Sequence, residues 1–283
     1  LDGAPAFTEG GAAVTLDADV TVADLELDDA TDYSGATLTL ARNGGADAND
    51  VFSVTLGGFA TETTNTGGTL VLTFGTSTAA NVASVMQSIT YSNASDAPDS
   101  SVQIDWTFSD GGGQGSGGAL SDTGSTTVSV TAENDAPTLS GGPASLGSTA
   151  EDTASTGTLI SSVLASLTYS DPDGAVAEGV AVIAVSGTGA WQYSTDNASW
   201  TNFPAVSTTT ALLLDSASYI RFVPGTNWSG SAALQFQAWD QSTDTASTNG
   251  SAQTGDASVS GTTTAYSSTS AAVSLTVSAV NDA

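Results

Sequence analysis

A chain of 283 residues with 39% hydrophobic residues is long enough to form two domains that each bury a core. The chain is strongly acidic, because it contains 30 Asp and Glu residues but only two basic residues and no His, which gives a formal net charge of −28. This balance argues against nucleic acid or an anionic membrane surface as partner, since nothing would neutralise the phosphates. Without Cys and His, zinc, haem and copper lose their usual ligands. Only oxygen ligands remain, and these suit Ca²⁺.

Short alternating apolar stretches, separated by clusters of Gly, Asn and Asp, predict β-strands in the first half of the chain. They cover residues 14–22, 36–40, 51–56, 70–74, 102–108 and 126–132. One stretch follows a different rhythm, because Val82, Val85, Met86 and Ile89 recur at helical spacing. The first half is therefore expected to be an antiparallel β-sandwich with one short capping helix.

The second half repeats this organisation. Its predicted strands cover residues 180–186, 190–194, 200–203, 211–214, 219–223, 232–239 and the last stretch from 273. A second helical spacing joins Ile160, Val163, Leu164 and Leu167. The Ser/Thr-rich stretch 241–270 is either a flexible excursion or a contact surface.

Two similar junctions mark the domain boundaries. The strand ending in Asn134-Asp135-Ala136-Pro137 is matched by the strand ending in Asn281-Asp282-Ala283, and Leu1-Asp2-Gly3-Ala4-Pro5 resembles the end of another. The sequence thus predicts an all-β protein of two tandem sandwiches, 1–136 and 137–283. A start without Met or signal peptide suggests a mature or excised piece, and secretion is inferred from it. No apolar run approaches the roughly 20 residues of a membrane span, so no membrane insertion is expected.

Carboxylates cluster where predicted strands end. The clusters are Asp24 with Glu26, Asp28 and Asp29; Asp110; Glu133 with Asp135; Glu151 with Asp152; Asp171 with Asp173; and Asp240. Carboxylates gathered in loops repel one another unless a cation joins them, so calcium is the expected cofactor. The alternative is that these side chains cap turns, which is favoured for isolated residues such as Asp47, Asp99 and Asp196.

Several motifs carry a resemblance to a known family. They are the Asn-Asp-Ala-Pro junction, Ser170-Asp171-Pro172-Asp173-Gly174, Ala238-Trp239-Asp240, Ser109-Asp110-Gly111-Gly112 and Trp191-Gln192-Tyr193-Ser194. With them the chain resembles the cadherin-like tandem domains, of the VCBS and RTX-adhesin type, of large bacterial surface proteins. The resemblance implies calcium ions between successive domains. The second acidic motif of animal cadherins has no match here, which favours one ion per junction.

The resemblance also implies the residues that bind these ions. The junction between the two domains would use Glu9, Asn134, Asp135, Asp171, Asp173 and Asp240. An upstream half-site would use Asp2, Asp24, Glu26 and Asp110, and a downstream half-site would use Glu151, Asn281 and Asp282.

Three function classes compete for this sequence. An enzyme is disfavoured, because without His, Lys or Cys a serine nucleophile has no ordinary base and only a carboxylate pair could serve. A carbohydrate-binding module is the alternative, since Trp191, Tyr193, Trp200, Phe203 and Trp228 could stack on sugars, although core packing is favoured for them. The favoured function is a non-catalytic spacer of a bacterial surface adhesin or extracellular fibre, stiffened by calcium. Its partners would be neighbouring repeats or like subunits, with surface glycans as a further option.

Overall fold

The structure is a computed structural model that describes residues 1–112, 118–174 and 177–281. Its internal contacts divide the chain into unit 1, Leu1–Glu133, and unit 2, Asn134–Ala283. Unit 1 therefore ends at Glu133, whereas the sequence places the first domain boundary at residue 136.

Unit 1 contains nine strands and two helices among its described residues. The strands are β1 (Ala6–Thr8), β2 (Val14–Thr15), β3 (Thr37–Arg42), β4 (Asp50–Ser53), β5 (Ala60–Thr66), β6 (Thr69–Phe74), β7 (Thr90–Asn93), β8 (Ser101–Ser109) and β9 (Ser121–Thr131). The helices are α1 (Leu25–Ala30) and α2 (Ala79–Gln87). A six-stranded sheet has the order β1-β9-β8-β3-β6-β5, and a three-stranded sheet has the order β2-β7-β4.

The core of unit 1 brings together the apolar faces of both sheets and of α2. Leu38, Leu72 and Ile104 of the larger sheet belong to the same buried cluster as Tyr91 of the smaller one and Val85 of α2. Alternation along β3, β6 and β8 places every second side chain in this core, as the sequence predicts.

Unit 2 contains twelve strands and one helix among its described residues. The strands are β10 (Thr138–Ser140), β11 (Ala144–Ala150), β12 (Thr158–Leu159), β13 (Thr168–Ser170), β14 (Gly179–Ser186), β15 (Gly189–Ser194), β16 (Thr201–Asn202), β17 (Ala211–Asp215), β18 (Tyr219–Pro224), β19 (Gly230–Trp239), β20 (Thr254–Gly255) and β21 (Tyr266–Ser278). The helix is α3 (Ile160–Ala165). The sheets have the orders β11-β21-β19-β14-β17-β20, β12-β18-β15-β16 and β10-β13.

The two units share the plan of their larger sheet. In unit 1 the first strand, β1, runs parallel to the last, β9, and in unit 2 β11 runs parallel to β21. The remaining strand pairs are antiparallel among the described residues. The all-β sandwich class is thus confirmed, with one parallel edge pair in each unit. Both capping helices are also confirmed, as α2 and α3.

The Ser/Thr-rich stretch of unit 2 is packed against the larger sheet. We call residues 241–265 the covering segment. Its Ala257 and Ala265 are buried with Leu213 of β17 and Trp239 of β19 in a second apolar cluster, separate from the main core. This explains why four successive residues of β17, 211–214, are all buried, since the sheet is covered on both faces. Of the two interpretations left open by the sequence, a free excursion is therefore wrong for this segment.

Candidate metal-binding site

The acidic turn of unit 1 is formed by Asp17-Ala18-Asp19, which follows the short strand β2 after one intervening residue, Leu16. Asp17 is only 4% exposed, and its two carboxylate oxygens accept hydrogen bonds from the backbone N–H of Asp2 at 2.9 Å and of Asp19 at 3.1 Å. Asp2, Asp17 and Asp19 each place one carboxylate oxygen within 4.8 Å of the others. The turn therefore gathers three carboxylates at a spacing that one metal ion could bridge.

The charges of this turn disturb one another. Burial alone would raise the pKa of Asp17, but the backbone N–H donors of Asp2 and Asp19 outweigh it and lower the pKa. The pKa of Asp19 is raised, because its carboxyl group hydrogen bonds to that of Asp17 and lies in its negative field. Ionising Asp19 beside the charged Asp17 is therefore costly, and a bound cation would reduce that cost.

Unit 2 repeats this turn with Asp171-Pro172-Asp173, directly after β13. The backbone N–H of Asp173 donates to Oδ1 of Asp171 at 3.0 Å, and that of Asp135 donates to Oδ2 of Asp173 at 2.8 Å. Asn134 donates from Nδ2 to Oδ2 of Asp240 at 3.0 Å. The structure thus brings the five predicted residues of unit 2 into one network.

Asp171 has a raised pKa in this network. Burial raises its pKa, and the negative charges of Asp240 and Asp173 raise it further. Its Oδ2 is buried, and no hydrogen bond of standard geometry reaches it in the described part of the chain, although the Tyr169 hydroxyl lies near enough to lower the pKa slightly. A buried carboxylate oxygen without a full partner is costly, and a hard cation would satisfy it.

The two turns differ in how closely they gather their carboxylates. Within the described residues, the triplet spacing of 4.8 Å is met by Asp2, Asp17 and Asp19. Asp171, Asp173 and Asp240 do not meet it, and hydrogen bonds from the backbone and from Asn134 fill part of their surroundings. Both turns offer the oxygen ligands that calcium prefers. The distances between carboxylate oxygens suit a single ion better in unit 1 than in unit 2.

The two predicted first-strand glutamates occupy matching positions. Glu9 Oε2 accepts a 3.0 Å hydrogen bond from the backbone N–H of Glu133, just past the last strand of unit 1. Glu151 Oε1 accepts the corresponding hydrogen bond from the backbone N–H of Val280, just past the last strand of unit 2. Each glutamate therefore holds the segment that follows the last strand of its unit. That Glu9 shares a calcium ion with the residues of unit 2 stays a prediction.

The other predicted ligands of unit 1 have local roles. Asp24 begins helix α1, because its Oδ1 accepts hydrogen bonds from the backbone N–H of Glu26 and Leu27 at 3.0 and 2.9 Å. Glu26 is exposed in the first turn of that helix. Asp110 is 7% exposed, and its Oδ1 accepts from the backbone N–H of Gly112 and Leu120, both at 2.9 Å.

The sequence motifs do not single out Asp17 and Asp19, which lie beside Asp2 at the position for which the resemblance implies Asp24 and Glu26. The signal is the Asp-x-Asp spacing, which Asp17-Ala18-Asp19 shares with Asp171-Pro172-Asp173. Of the downstream half-site, Asn281 is exposed and Asp282 lies outside the described residues.

The aromatic side chains of unit 2 are mostly internal. Trp191 and Tyr193 are buried in the core, and Phe203 and Trp228 pack against it. Trp200 is partly exposed and stacks on Arg221. Core packing, which the sequence favours for this group, therefore holds for four of its five members.

Comparison with known proteins finds similarity among solved structures. No protein-family model matches the chain, and no curated protein matches it. Among solved structures it is similar to mouse cadherin-23 EC22-24, with 12% identity, a TM-score of 0.42 and coverage of 99% of this chain and 65% of that one. It is similar to human mucin-like protocadherin EC1-2, with 12% identity, a TM-score of 0.41 and coverage of 98% and 96%. It is also similar to an endo-fucoidan hydrolase of glycoside hydrolase family 107, with 15% identity, a TM-score of 0.27 and coverage of 99% and 28%.

The cadherin-like resemblance of the sequence motifs and the bacterial-surface setting both stay predictions. The chain spans less than two thirds of the cadherin-23 structure. Among the described residues, no helix combines the length and the apolar character that crossing a bilayer requires.

Proposed function

We propose that this chain is a non-catalytic structural segment of an extracellular adhesion protein, in which calcium binds the acidic turn at the start of each unit. The observation that carries the proposal is the grouping of Asp2, Asp17 and Asp19, whose carboxylate oxygens lie within 4.8 Å of one another. Asp17 at the centre of this group is almost fully buried. Asp2 and Asp19 are exposed, and carboxylates held this close to a buried one repel one another less when a divalent ion neutralises them.

Calcium is the ion that the donors favour. The chain offers carboxylate, amide and backbone oxygens, and it contains no Cys or His. Calcium accepts six to eight oxygen ligands in flexible geometry, whereas magnesium requires a near-ideal octahedron and retains water. In unit 1 the ligands would be Asp2, Asp17 and Asp19; in unit 2 they would be Asp135, Asp171, Asp173 and Asp240, with Asn134 in support. The bound ion would supply positive charge and fix the surrounding loops.

Fixing those loops would give the chain its mechanical role. Asn134 and Asp135 follow directly after the last residue of unit 1 and are hydrogen bonded into the acidic network of unit 2. An ion in this network would hold the linker on unit 2 and reduce its freedom. A long chain of such units would then be a calcium-stiffened spacer or fibre, whose partners are neighbouring repeats. A bacterial cell surface is the setting that the sequence motifs favour.

Thermal unfolding with added metal tests the proposal. Calcium at about 100 times its dissociation constant stabilises a single-site protein by about 2.7 kcal/mol, so the melting temperature should rise by several degrees. Magnesium at the same concentration should have a smaller effect, and a chelator should reverse the rise.

Matched variants locate the effect. Asp17→Asn with Asp19→Asn should abolish the response of unit 1, and Asp171→Asn with Asp173→Asn should abolish that of unit 2. Glu62→Gln removes one charge from the exposed face of β5 and should leave both responses intact. Equal responses to calcium in the wild type and in both double variants would show that nonspecific charge screening, and not these turns, is responsible.

A further inference from the structure

Arg221 lies on the outer face of the four-stranded sheet of unit 2. Its neighbours in β18, Ile220 and Phe222, are buried in the core, so alternation turns Arg221 outward. The residue opposite it on β15 is Gln192, which is likewise flanked by the buried Trp191 and Tyr193. The two polar side chains are therefore neighbours on the face that the core does not use.

A row of hydrogen bonds fixes these side chains across three strands. Arg221 donates from Nε to Oε1 of Gln192 at 2.8 Å, and Gln192 donates from Nε2 to Oδ1 of Asn202 at 2.8 Å. The strand register places Gln192 opposite both partners, on β18 and on β16. Each side chain of the row is thus held by the next, which lowers the entropy lost when a ligand binds.

The guanidinium of Arg221 is also held by an aromatic ring. Its central carbon lies 4.1 Å from the centroid of the Trp200 ring, a cation–π contact. Trp200 in turn fits beside Gly157, where an added Cβ would come within 2.8 Å of the indole Cη2. Because Gly157 has no side chain, the Trp200 indole can lie against its backbone and position Arg221.

Arg221 has no anionic partner among the residues that the structure describes. Within the described residues all salt bridges belong to Arg42, which lies near Asp47, Asp50 and Asp99. The hydrogen bond to Asp50 is the main reason why the pKa of Arg42 is raised, whereas burial lowers the pKa of Arg221. The outer N–H groups of the Arg221 guanidinium donate to no residue that the structure describes. The guanidinium is therefore available to an external anion, although the chain itself contains 30 acidic residues.

We propose that Arg221, Gln192, Asn202 and Trp200 form a binding site for the carboxylate of an acidic sugar, such as a terminal uronate. The planar fork of a guanidinium matches a carboxylate through two parallel N–H···O bonds. The neighbouring amides can bond to sugar hydroxyls, and an indole edge offers apolar surface to the ring. A site on an open sheet face suits a sugar residue. The net charge of −28 repels long polyanions, so the ligand is a short acidic glycan.

Titration of the ¹⁵N-labelled protein with a glucuronate-terminated disaccharide tests this site. The expected result is saturable shifts of the Trp200 indole N–H and the Gln192 side-chain amide, with a dissociation constant in the millimolar range. The methyl ester of the same disaccharide, which lacks the negative charge, should bind roughly tenfold more weakly. The loss of affinity in the ester separates recognition of the carboxylate from stacking of the sugar alone.

Two substitutions complete the test. Arg221→Lys keeps the charge and loses the fork, so it should weaken binding roughly tenfold. Asn202→Ala leaves the arginine in place and removes the anchor of Gln192, so it should weaken binding by a smaller factor. Glu62→Gln, in unit 1, should bind like the wild type. Equal binding by Arg221→Lys and the wild type, absence of shifts at Trp200 and Gln192, or binding of an acidic peptide without binding of the sugar would each overturn the proposal.

Discussion

The backbone N–H of Asp135 donates a 2.8 Å hydrogen bond to Oδ2 of Asp173. In unit 1 the backbone N–H of Asp2 also donates to the acidic turn, at Oδ2 of Asp17, which is the first Asp of that turn and not the second. In both units, the first residues are thus held by the carboxylates that we assign to calcium. We call these first residues, around Asp2 in unit 1 and Asp135 in unit 2, the entering segment of each unit. Loss of the negative charge of the turn should therefore make the entering segment more mobile.

Removing the Asp173 carboxylate should release the entering segment of unit 2. A hydrogen bond to a charged acceptor contributes about 1.5–3 kcal/mol, so Asp173→Ala should speed amide exchange at Asp135 by about tenfold or more. Hydrogen exchange read by mass spectrometry over residues 134–136 checks this. The control is Asp256→Ala. Asp256 is exposed, and among the described residues its carboxylate bonds only to Ser258. Unchanged exchange at Asp135 would mean that other contacts hold the segment.

The buried ion pair of unit 1 should be sensitive to loss of its cation. Arg42 Nη1 lies 2.6 Å from Oδ2 of Asp50, which is 3% exposed and also accepts from Tyr91 and Asn93. Arg42→Met leaves the buried charge of Asp50 uncompensated and should destabilise unit 1 by about 3 kcal/mol. Urea denaturation measures the change.

The double variant Arg42→Met with Asp50→Asn distinguishes a lost charge from lost packing. Because both charges are then gone, it should recover at least half of the lost stability. A double variant as unstable as Arg42→Met alone would show that the arginine acts through packing of its alkyl chain.

The hairpin between β15 and β16 should have its own dependence on pH. Oδ1 of Asp196 accepts hydrogen bonds from the backbone N–H of Ser199 at 2.7 Å and of Ala198 at 2.8 Å, and these lower the pKa of Asp196 below its usual 3.8. The pKa of Asp196 is lower in the folded than in the unfolded state, so its ionised form stabilises the folded protein above pH 3.8. This stabilisation is lost progressively as the pH falls below 3.8.

Comparison of the wild type with Asp196→Asn isolates this contribution. Asparagine keeps an oxygen acceptor and removes the charge, so the wild type should melt a few degrees higher at neutral pH and the difference should vanish in acid. Asp29→Asn, an exposed acidic position in α1, is the control. A difference that does not change with pH would exclude the charge of Asp196 as its cause.

The covering segment should resist proteolysis as long as its apolar anchor is intact. Trp239 is fully buried beneath it and donates from Nε1 to the carbonyl of Thr243 at 3.1 Å, and Tyr266 donates from its hydroxyl to Asp244 at 2.9 Å. Trp239→Ala should cost about 3–5 kcal/mol and open residues 241–265 to cleavage. Val259→Ala changes a side chain of the same segment that is 70% exposed, and it should be neutral. Rapid cleavage of the wild type within 241–265 would contradict the packed arrangement.

The sequence predicts those elements in which one face is buried. Helices α2 and α3 follow from their apolar spacing, and β3, β6 and β8 follow from alternation. Strand β5, Ala60–Thr66, is not predictable in this way, because only Ala60 is buried and hydrogen bonding to β6 defines the rest. The covering segment escapes prediction for a similar reason, since small residues such as Ala257 fill its contact with the sheet.

The candidate site was predictable where a motif carried it. Asp171 and Asp173 follow from the Asp-Pro-Asp-Gly turn, whereas Asp17 and Asp19 are hidden in residues 14–22, which alternate like a strand. The strand β2 ends at Thr15, and the Asp17 carboxylate then bonds to backbone N–H groups and turns the chain. A short side chain that competes for backbone donors thus overrides the alternating pattern.

Calorimetric titration with calcium, starting from chelator-treated protein, tests the central claim most directly. We expect saturable binding in the wild type, loss of the unit 1 binding step in Asp17→Asn with Asp19→Asn, and undiminished binding in Glu62→Gln. No heat of binding up to millimolar calcium, or the same isotherm for the wild type and the double variant, would contradict the assignment of the Asp2, Asp17 and Asp19 cluster to a calcium ion.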